Sequence, residues 1–152
     1  MKYLLVLCTM FLFADGCNDK TSDKETLKTA QDDISITYEA SSRGFYEKIM
    51  LDKKEIVLLK DRSGNVTLKD ACSSEDWNEV IAILDKIDAE KLQKNYVNAD
   101  DVGRDAVIPA TLVIKYKDNM VKSISLAHGN PPETLAPLFA KLQAMALAVE
   151  NQ

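Results

Sequence analysis

Apolar and polar residues alternate along the chain from Ile34 onward, the pattern of strands that bury one side. The first predicted strand contains Ile36 and Tyr38, and Ser41-Ser42-Arg43-Gly44 is expected to turn the chain after it. The same alternation predicts three further strands, at 45–51, 55–60 and 65–69. Because short turns join these segments, we expect neighbouring strands to be antiparallel.

The period of the pattern changes after residue 72. Ser73 followed three residues later by Asp76 is typical of a helix start, and apolar residues at helical spacing come next. This predicts a helix over 74–88 that places Trp77 on the sheet. The remaining segments are expected to form a polar loop at 94–108, strands at 111–117 and 120–126, and a C-terminal helix that begins near Thr134 because Pro137 fits only its first turn.

The resulting order of elements is ββββ-α-ββ-α. This order predicts an α+β fold in which a mainly antiparallel sheet of about six strands carries two helices on one face, a two-layer sandwich. The predicted domain covers residues 34–152, a length that suits one compact unit.

The first residues have a different character. Lys2 supplies a positive charge, and residues 3–13 form an uncharged, mostly apolar run, too short for a spanning helix of about 20 residues. This layout is typical of a secretory signal. The following Ala14-Asp15-Gly16-Cys17 resembles the lipobox of bacterial lipoproteins, although Asp15 departs from the usual small neutral residue.

The lipobox resemblance implies a signal peptide at 1–16, cleaved between Gly16 and Cys17. It also implies a lipid on the Cys17 thiol and acylation of the new amino terminus, for example with palmitate. Residues 18–33 carry eight charges and one large apolar residue, Leu27, so we expect 17–33 to be a flexible tether. The alternatives are ordinary secretion of a soluble protein that begins at Cys17 and an uncleaved membrane anchor.

The predicted lipoprotein signal determines the expected state of each cysteine. Cys8 would leave with the signal and Cys17 would be lipidated, so Cys72 would stand alone and no intramolecular disulfide could form. If the protein is only secreted, a Cys17–Cys72 bridge is conceivable. We expect Cys72 to be a small buried apolar residue.

The composition excludes several classes of function. The chain has 152 residues and a formal net charge of −5 at pH 7, which argues against a nucleic-acid-binding protein. One His and three Cys leave little material for a transition-metal site. We therefore expect no cofactor, no metal and no nucleic-acid partner, and a monomeric protein attached to a membrane through Cys17.

Several short motifs of the domain resemble a group of small lipoproteins of Bacteroidota bacteria. The motifs are Ile36-x-Tyr38, the run from Ser41 to Tyr46, a helix led by Trp77, and His128-Gly129-x-Pro131-Pro132. The resemblance implies a location in the cell envelope and a domain of sheet and helices. It implies no reaction.

Candidate catalytic residues are few. His128 is the one histidine, so a hydrolase would need it as the base, with Asp100, Asp101 or Asp105 to orient it and Ser41, Ser42 or Cys72 to attack. No Gly-x-Ser-x-Gly elbow frames any serine, and we expect His128 to close the last strand instead. Residues 98–105 match a calcium loop at only two ligand positions, which favours a solvated acidic loop.

Arg43 is the most conspicuous charge of the predicted turns. If its loop meets the loop of His128 at one end of the sheet, the two side chains could form a small polar patch.

These observations favour a non-catalytic, lipid-anchored envelope protein, with the outer membrane as its expected site, facing the periplasm or the cell surface. It would bind or inhibit an unknown envelope partner or ligand through a sheet face, a loop end or a strand edge. Two alternatives are a small periplasmic hydrolase that uses His128 and a structural spacer of the envelope.

Overall fold

A computed structural model describes residues 33–88, 92, 94–97, 107–116 and 121–152. The predicted signal peptide, Cys17 and the tether up to residue 32 lie outside these residues. So do the candidate calcium loop at 98–105, the three aspartates proposed to orient His128, and the turn at Asp118-Asn119.

The described residues contain six strands and two α-helices in the predicted order. The strands are β1 (Ser35–Ser42), β2 (Phe45–Asp52), β3 (Glu55–Leu59), β4 (Thr67–Ala71), β5 (Pro109–Lys115) and β6 (Val121–Ala127). The helices are α1 (Ser74–Leu84) and α2 (Ala136–Glu150), and a short 3₁₀ helix (Glu133–Leu135) leads into α2. The predicted α+β fold is therefore confirmed.

All neighbouring strands pair antiparallel, in the spatial order β4-β3-β2-β1-β5-β6. The first four strands form a meander, whereas β5 returns to the other edge of β1 instead of extending the sheet beyond β4. As a result β1 lies inside the sheet and pairs with β2 over its whole length.

One face of the sheet carries the core. Alternate residues of the strands face this side, so that Ile36, Tyr38 and Ala40 of β1 are almost fully buried. The helices complete the core with these buried residues: Trp77, Val80, Ile81 and Leu84 from α1, and Leu138, Phe139, Leu142, Met145, Ala146 and Val149 from α2. Neither helix is long and apolar enough to cross a lipid bilayer, among the residues that the structure covers.

The start of α1 agrees with the prediction, whereas its end does not. The Ser73 side chain accepts a hydrogen bond from the backbone N–H of Asp76 at 3.0 Å, as the helix-start signature predicted. The helix ends at Leu84 instead of residue 88. Lys86 and Ile87 donate to the carbonyls of Ile83 and Leu84, three residues back, so the chain tightens into turns after the helix.

The starts of β4 and β5 also differ from the prediction. β4 begins at Thr67 instead of residue 65, because the Asp61 side chain accepts the backbone N–H groups of Asn65 and Val66 and holds both in the preceding turn. β5 begins at Pro109, the first residue of a strand being a position that proline tolerates. Within the expected loop 94–108, the Tyr96 N–H donates to the Ser125 carbonyl at 2.8 Å, so this segment covers part of the β6 edge.

The pairing register defines two ends of the sheet. Ser35, the first residue of β1, lies beside Asp52 and Lys115 at the end that we call the entry end. The opposite end, the turn end, holds the Arg43-Gly44 turn, the 60–66 turn and His128, because β1 finishes at Ser42 and Ala127 pairs with Pro109 there. The chain therefore enters the domain at the end opposite to Arg43 and His128.

Leu112 and Leu147 differ in burial, so the same substitution, leucine to alanine, should change the free energy of unfolding by different amounts at the two positions. Leu112→Ala, in the centre of the sheet at 0% exposure, should lower the free energy of unfolding by about 2–5 kcal/mol because it leaves a cavity. Leu147→Ala, on α2 at 56% exposure, is the matched control and should change it by less than about 1 kcal/mol. Urea unfolding of both variants measures the difference, and equal losses would contradict the described core.

Candidate functional site

The turn end is shaped by a two-residue hairpin turn. Ser42 pairs with Phe45, so Arg43 and Gly44 alone connect β1 to β2. Gly44 has a φ of 87°, a conformation that residues with a Cβ rarely adopt, and Arg43 is exposed beside it. The turn therefore holds Arg43 at the tip of the hairpin.

His128 is tied to the core through Tyr38. The Tyr38 Oη and His128 Nδ1 lie 2.5 Å apart, and their rings stack at an interplanar angle of 22°. Burial, and then the nearby charge of Glu47, raise the pKa of the Tyr38 hydroxyl far above its ordinary value. The hydroxyl therefore stays protonated, and it shares a hydrogen bond with Nδ1 of His128.

Two aromatic rings complete this arrangement. Phe139 of α2 contacts the Tyr38 ring edge-on at a centroid distance of 5.1 Å. Phe45, the first residue of β2, lies 4.9 Å from the His128 ring between centroids. Phe45 thus brings the hairpin turn into contact with the loop that follows β6.

A groove of about 310 Å³ runs between these residues and α2. Phe45, Glu47 and His128 line one wall, and Gln143, Leu147 and Glu150 of α2 are among the residues of the other. Leu147 is 56% exposed, which is high for a large apolar side chain. We call this concavity the turn-end groove.

Lys60 closes the groove on one side. Its ammonium group lies 3.1 Å from the Glu47 carboxylate and also pairs with Glu150. Burial alone would lower the pKa of Lys60, but the hydrogen bonds to Glu150 and Glu47 outweigh that effect and raise it. The three side chains form a closed ion-pair network, so Lys60 adds little free positive charge.

A second concavity, of about 510 Å³, lies between the β1–β2 turn and the 60–66 turn. Ser42, Arg43, Phe45, Tyr46 and Arg62 are among its lining residues, and we call it the arginine notch. Phe45 and Lys60 border both concavities. The notch and the turn-end groove are therefore neighbours.

The side chain of Arg62 is fixed in the notch by two contacts. Its guanidinium donates to the Ser41 hydroxyl, and its Cζ lies 6.0 Å from the centroid of the Tyr46 ring. The Asp61 carboxylate, which also lines the notch, is engaged by its own turn. Hydrogen bonds from the Ser63 hydroxyl and the Val66 and Asn65 N–H groups lower the pKa of Asp61.

The two residues of the predicted polar patch lie at the same end of the sheet but in different concavities. Arg43 lines the arginine notch, and His128 lines the turn-end groove, with Phe45 between them. None of the hydrogen bonds in the described part of the chain joins Arg43 to His128. The loops meet at one end of the sheet, as the hypothesis of a polar patch required, but through the Phe45 ring instead of through the two charges.

The candidate nucleophiles are spread over the domain. Ser41 accepts the hydrogen bond from Arg62, and Ser42 lines the notch. Cys72 lies at the entry end, where its N–H donates to the Lys54 carbonyl, so it is remote from His128. The thiol is free and half-buried against the core, and burial, followed by the charges of Asp76 and Asp52, raises its pKa.

Within the described ranges, no group of three or more His, Cys, Asp or Glu side chains could hold a metal ion. The candidate calcium loop lies outside those ranges. The turn end instead offers hydrogen-bonding groups, two aromatic rings and two guanidinium groups, which suit the binding of a ligand.

Sequence reasoning found Arg43 and His128 but missed their partners. The alternating pattern predicts only that Tyr38 is a core residue, and that Lys60, Arg62 and Glu150 are charged residues exposed to solvent. One signal was present in the composition: only three of the 19 cationic residues are arginine, and two of those, Arg43 and Arg62, line the notch.

Removing the Tyr38 hydroxyl tests its hydrogen bond to His128. Tyr38→Phe should lower the free energy of unfolding by about 1 kcal/mol, because the imidazole loses its hydrogen-bond partner. Tyr116→Phe is the matched control, a half-buried tyrosine with no described hydrogen bond, and should have less than half that effect. Chemical unfolding of both variants measures this, and equal effects would contradict the assigned bond.

Comparison of the chain with protein-family models, with curated proteins and with solved structures found no match.

Proposed function

We propose that the protein is a non-catalytic, lipid-anchored component of the bacterial cell envelope that binds a partner through the turn end of its sheet. In this proposal Cys17 carries the lipid, residues 17–33 form the tether, and the outer membrane is the site of attachment. The partner is an envelope protein or ligand instead of a nucleic acid, and the protein acts as a monomer.

The observation that carries the proposal is the placement of the two ends of the sheet. β1 begins at Ser35 at the entry end, directly after the proposed tether, and finishes at Ser42 at the turn end. Eight residues of strand cover about 23 Å. A membrane attachment before Ser35 therefore leaves the turn end as the free end of the domain.

The groups exposed at the turn end support binding. The turn-end groove and the arginine notch together fall within the size of small-ligand and peptide sites, about 300–1,000 Å³. Both concavities combine apolar surface with a few directed polar groups. The Phe45 ring lies beside Arg43 in the arginine notch and beside His128 in the turn-end groove.

A small hydrolase that uses His128 is the second candidate. The observation that favours it is the contact with Tyr38, which holds the imidazole in one orientation. A hydrolase also needs a nucleophile within hydrogen-bond reach of the base. Among the hydrogen bonds of the residues described, none joins His128 to Ser41, Ser42 or Cys72, and for this reason we favour binding.

The lipid anchor is tested by Cys17→Ser. The variant should lose labelling by a palmitate analogue and move from the membrane fraction to the soluble fraction, because several acyl chains give the stable attachment that the protein part lacks. Cys72→Ser is the matched control and should remain labelled and membrane-bound. A wild-type protein that is soluble and unlabelled would contradict the anchor.

The direction of binding is tested by photo-crosslinking in cells. A photo-reactive phenylalanine analogue at Asn130 or Asn65, both exposed at the turn end, should give a discrete higher-mass adduct. The same analogue at Lys54, exposed in the turn at the entry end, should give none. Adducts at Lys54 alone would place the partner at the wrong end, and no adduct at any position would favour the spacer.

A further inference from the structure

The arginine notch contains unpaired backbone as well as charge. β2 pairs with β3 only from Lys48, which lies opposite Leu59, so Phe45, Tyr46 and Glu47 extend beyond the end of β3. Beyond Leu59 the chain turns away towards β4, and Lys60 donates its N–H to Val66 at 3.1 Å. The notch therefore occupies the place beside β2 that a longer β3 would fill.

The alternation of the hydrogen bonds shows which backbone groups face this space. The backbone of Lys60 is hydrogen-bonded to Val66, and that of Lys54 to Cys72, both across the β3–β4 pair. Every second residue of β3 from Lys54 to Lys60 therefore directs its backbone N–H and C=O groups towards β4, and Leu59 directs its groups towards β2. Its partner Lys48 then faces β3, and Tyr46, two residues earlier on the same strand edge, faces the notch. The Tyr46 N–H and C=O thus point to a position where a further strand residue could pair.

Two guanidinium groups border the same space. Arg62 is fixed by Ser41 and by the Tyr46 ring, and Arg43 is held at the tip of the hairpin without an ion pair among the described contacts. Lys60 is already paired with Glu47 and Glu150, and Asp61 is bound by its own turn. The notch therefore holds two guanidinium groups against one carboxylate, that of Asp61, and keeps a net positive charge for a ligand.

The use of arginine instead of lysine at the notch indicates a specific binding role. The protein uses lysine for 16 of its 19 cationic residues, and lysine serves general surface charge equally well. The planar fork of arginine instead matches the two oxygens of a carboxylate. Two of the three arginines of the chain border one notch, which favours recognition of an oxyanion over general solubility.

We propose that the arginine notch binds an extended peptide that carries a carboxylate, with the peptide backbone pairing to Tyr46 and the carboxylate held by Arg43 and Arg62. Strand addition supplies the backbone hydrogen bonds, and the guanidinium groups select for the carboxylate. This inference rests on the proposed function, since it names the chemistry of the partner at the turn end. The carboxylate comes from a peptide C-terminus or from an Asp or Glu side chain.

The test is fluorescence anisotropy with the full chain in a non-ionic detergent. Three fluorescein-labelled peptides distinguish the two sources: Gly-Thr-Val-Thr-Val-Ala with a free C-terminus, the same peptide as its amide, and the amide with Glu in place of the central Val. At least one carboxylate peptide should bind ten times more tightly or better than the neutral amide, because charge-assisted hydrogen bonds are lost in the amide.

Variants then connect that binding to the notch. Arg43→Gln should weaken binding about tenfold, and Arg43→Lys should weaken it nearly as much, because lysine keeps the charge but loses the fork. Lys54→Gln removes an exposed cation from the entry end and is the matched control, which should bind as the wild type does. Arg62→Gln provides a second variant, with its thermal midpoint recorded because Arg62 also contacts Ser41.

Two results would overturn the inference: equal binding of the neutral and carboxylate peptides, including no binding of either, or an equal loss in Lys54→Gln and Arg43→Gln. Crosslinks at Asn130 or Asn65 that persist in such a case would leave the proposed function standing with a different ligand. Crosslinks at Lys54 alone would remove both.

Discussion

The pairing of β1 on both of its edges is the constraint on which the rest of the structure depends. Its eight residues pair with β2, and six of them also pair with β5, so this strand joins the meander to the β5–β6 hairpin. Its inward side chains lie in the centre of the core at 0–1% exposure. Because one of them is Tyr38, whose hydroxyl reaches His128, the strand that organises the sheet also positions the turn end.

The two helices cover one face of the sheet with the core, and the candidate functional groups lie at the ends and edges of the sheet. α2 is tied to α1 by Lys141, whose ammonium group lies 2.8 Å from Asp76 and also pairs with Glu79. With α2 held there, its last two turns reach the turn end, where Glu150 pairs with Lys60. The groove is therefore a consequence of helix placement: it opens where α2 passes the exposed start of β2.

Local patterns predicted the elements, whereas contacts between distant segments required the structure. The alternation in β1 and the Ser73–Asp76 signature depend on neighbours in sequence, and both predictions are confirmed. The place of β5 beside β1, and the meeting of Lys60 with Glu150, join segments far apart in the chain, and no periodicity encodes them. The hypothesis of a patch of Arg43 and His128 required their loops to meet at one end of the sheet; the loops do so, but Phe45, an apolar residue in a strand pattern, separates the two side chains.

The difference in charge between the two concavities follows from the same distant contacts. Lys60 lies between them, and its pairing with both Glu47 and Glu150 leaves one net negative charge on the wall of the groove. Asp61 also lies in the notch and stays ionised, because neutral donors of its turn stabilise the carboxylate and lower its pKa, so Arg43 and Arg62 leave the notch with a net positive charge against this one anion. A chain with a net charge of −5 thus keeps a net positive charge in one notch and a net negative charge in the adjoining groove. A ligand with an anionic end and an apolar end would be oriented across Phe45 by that difference alone.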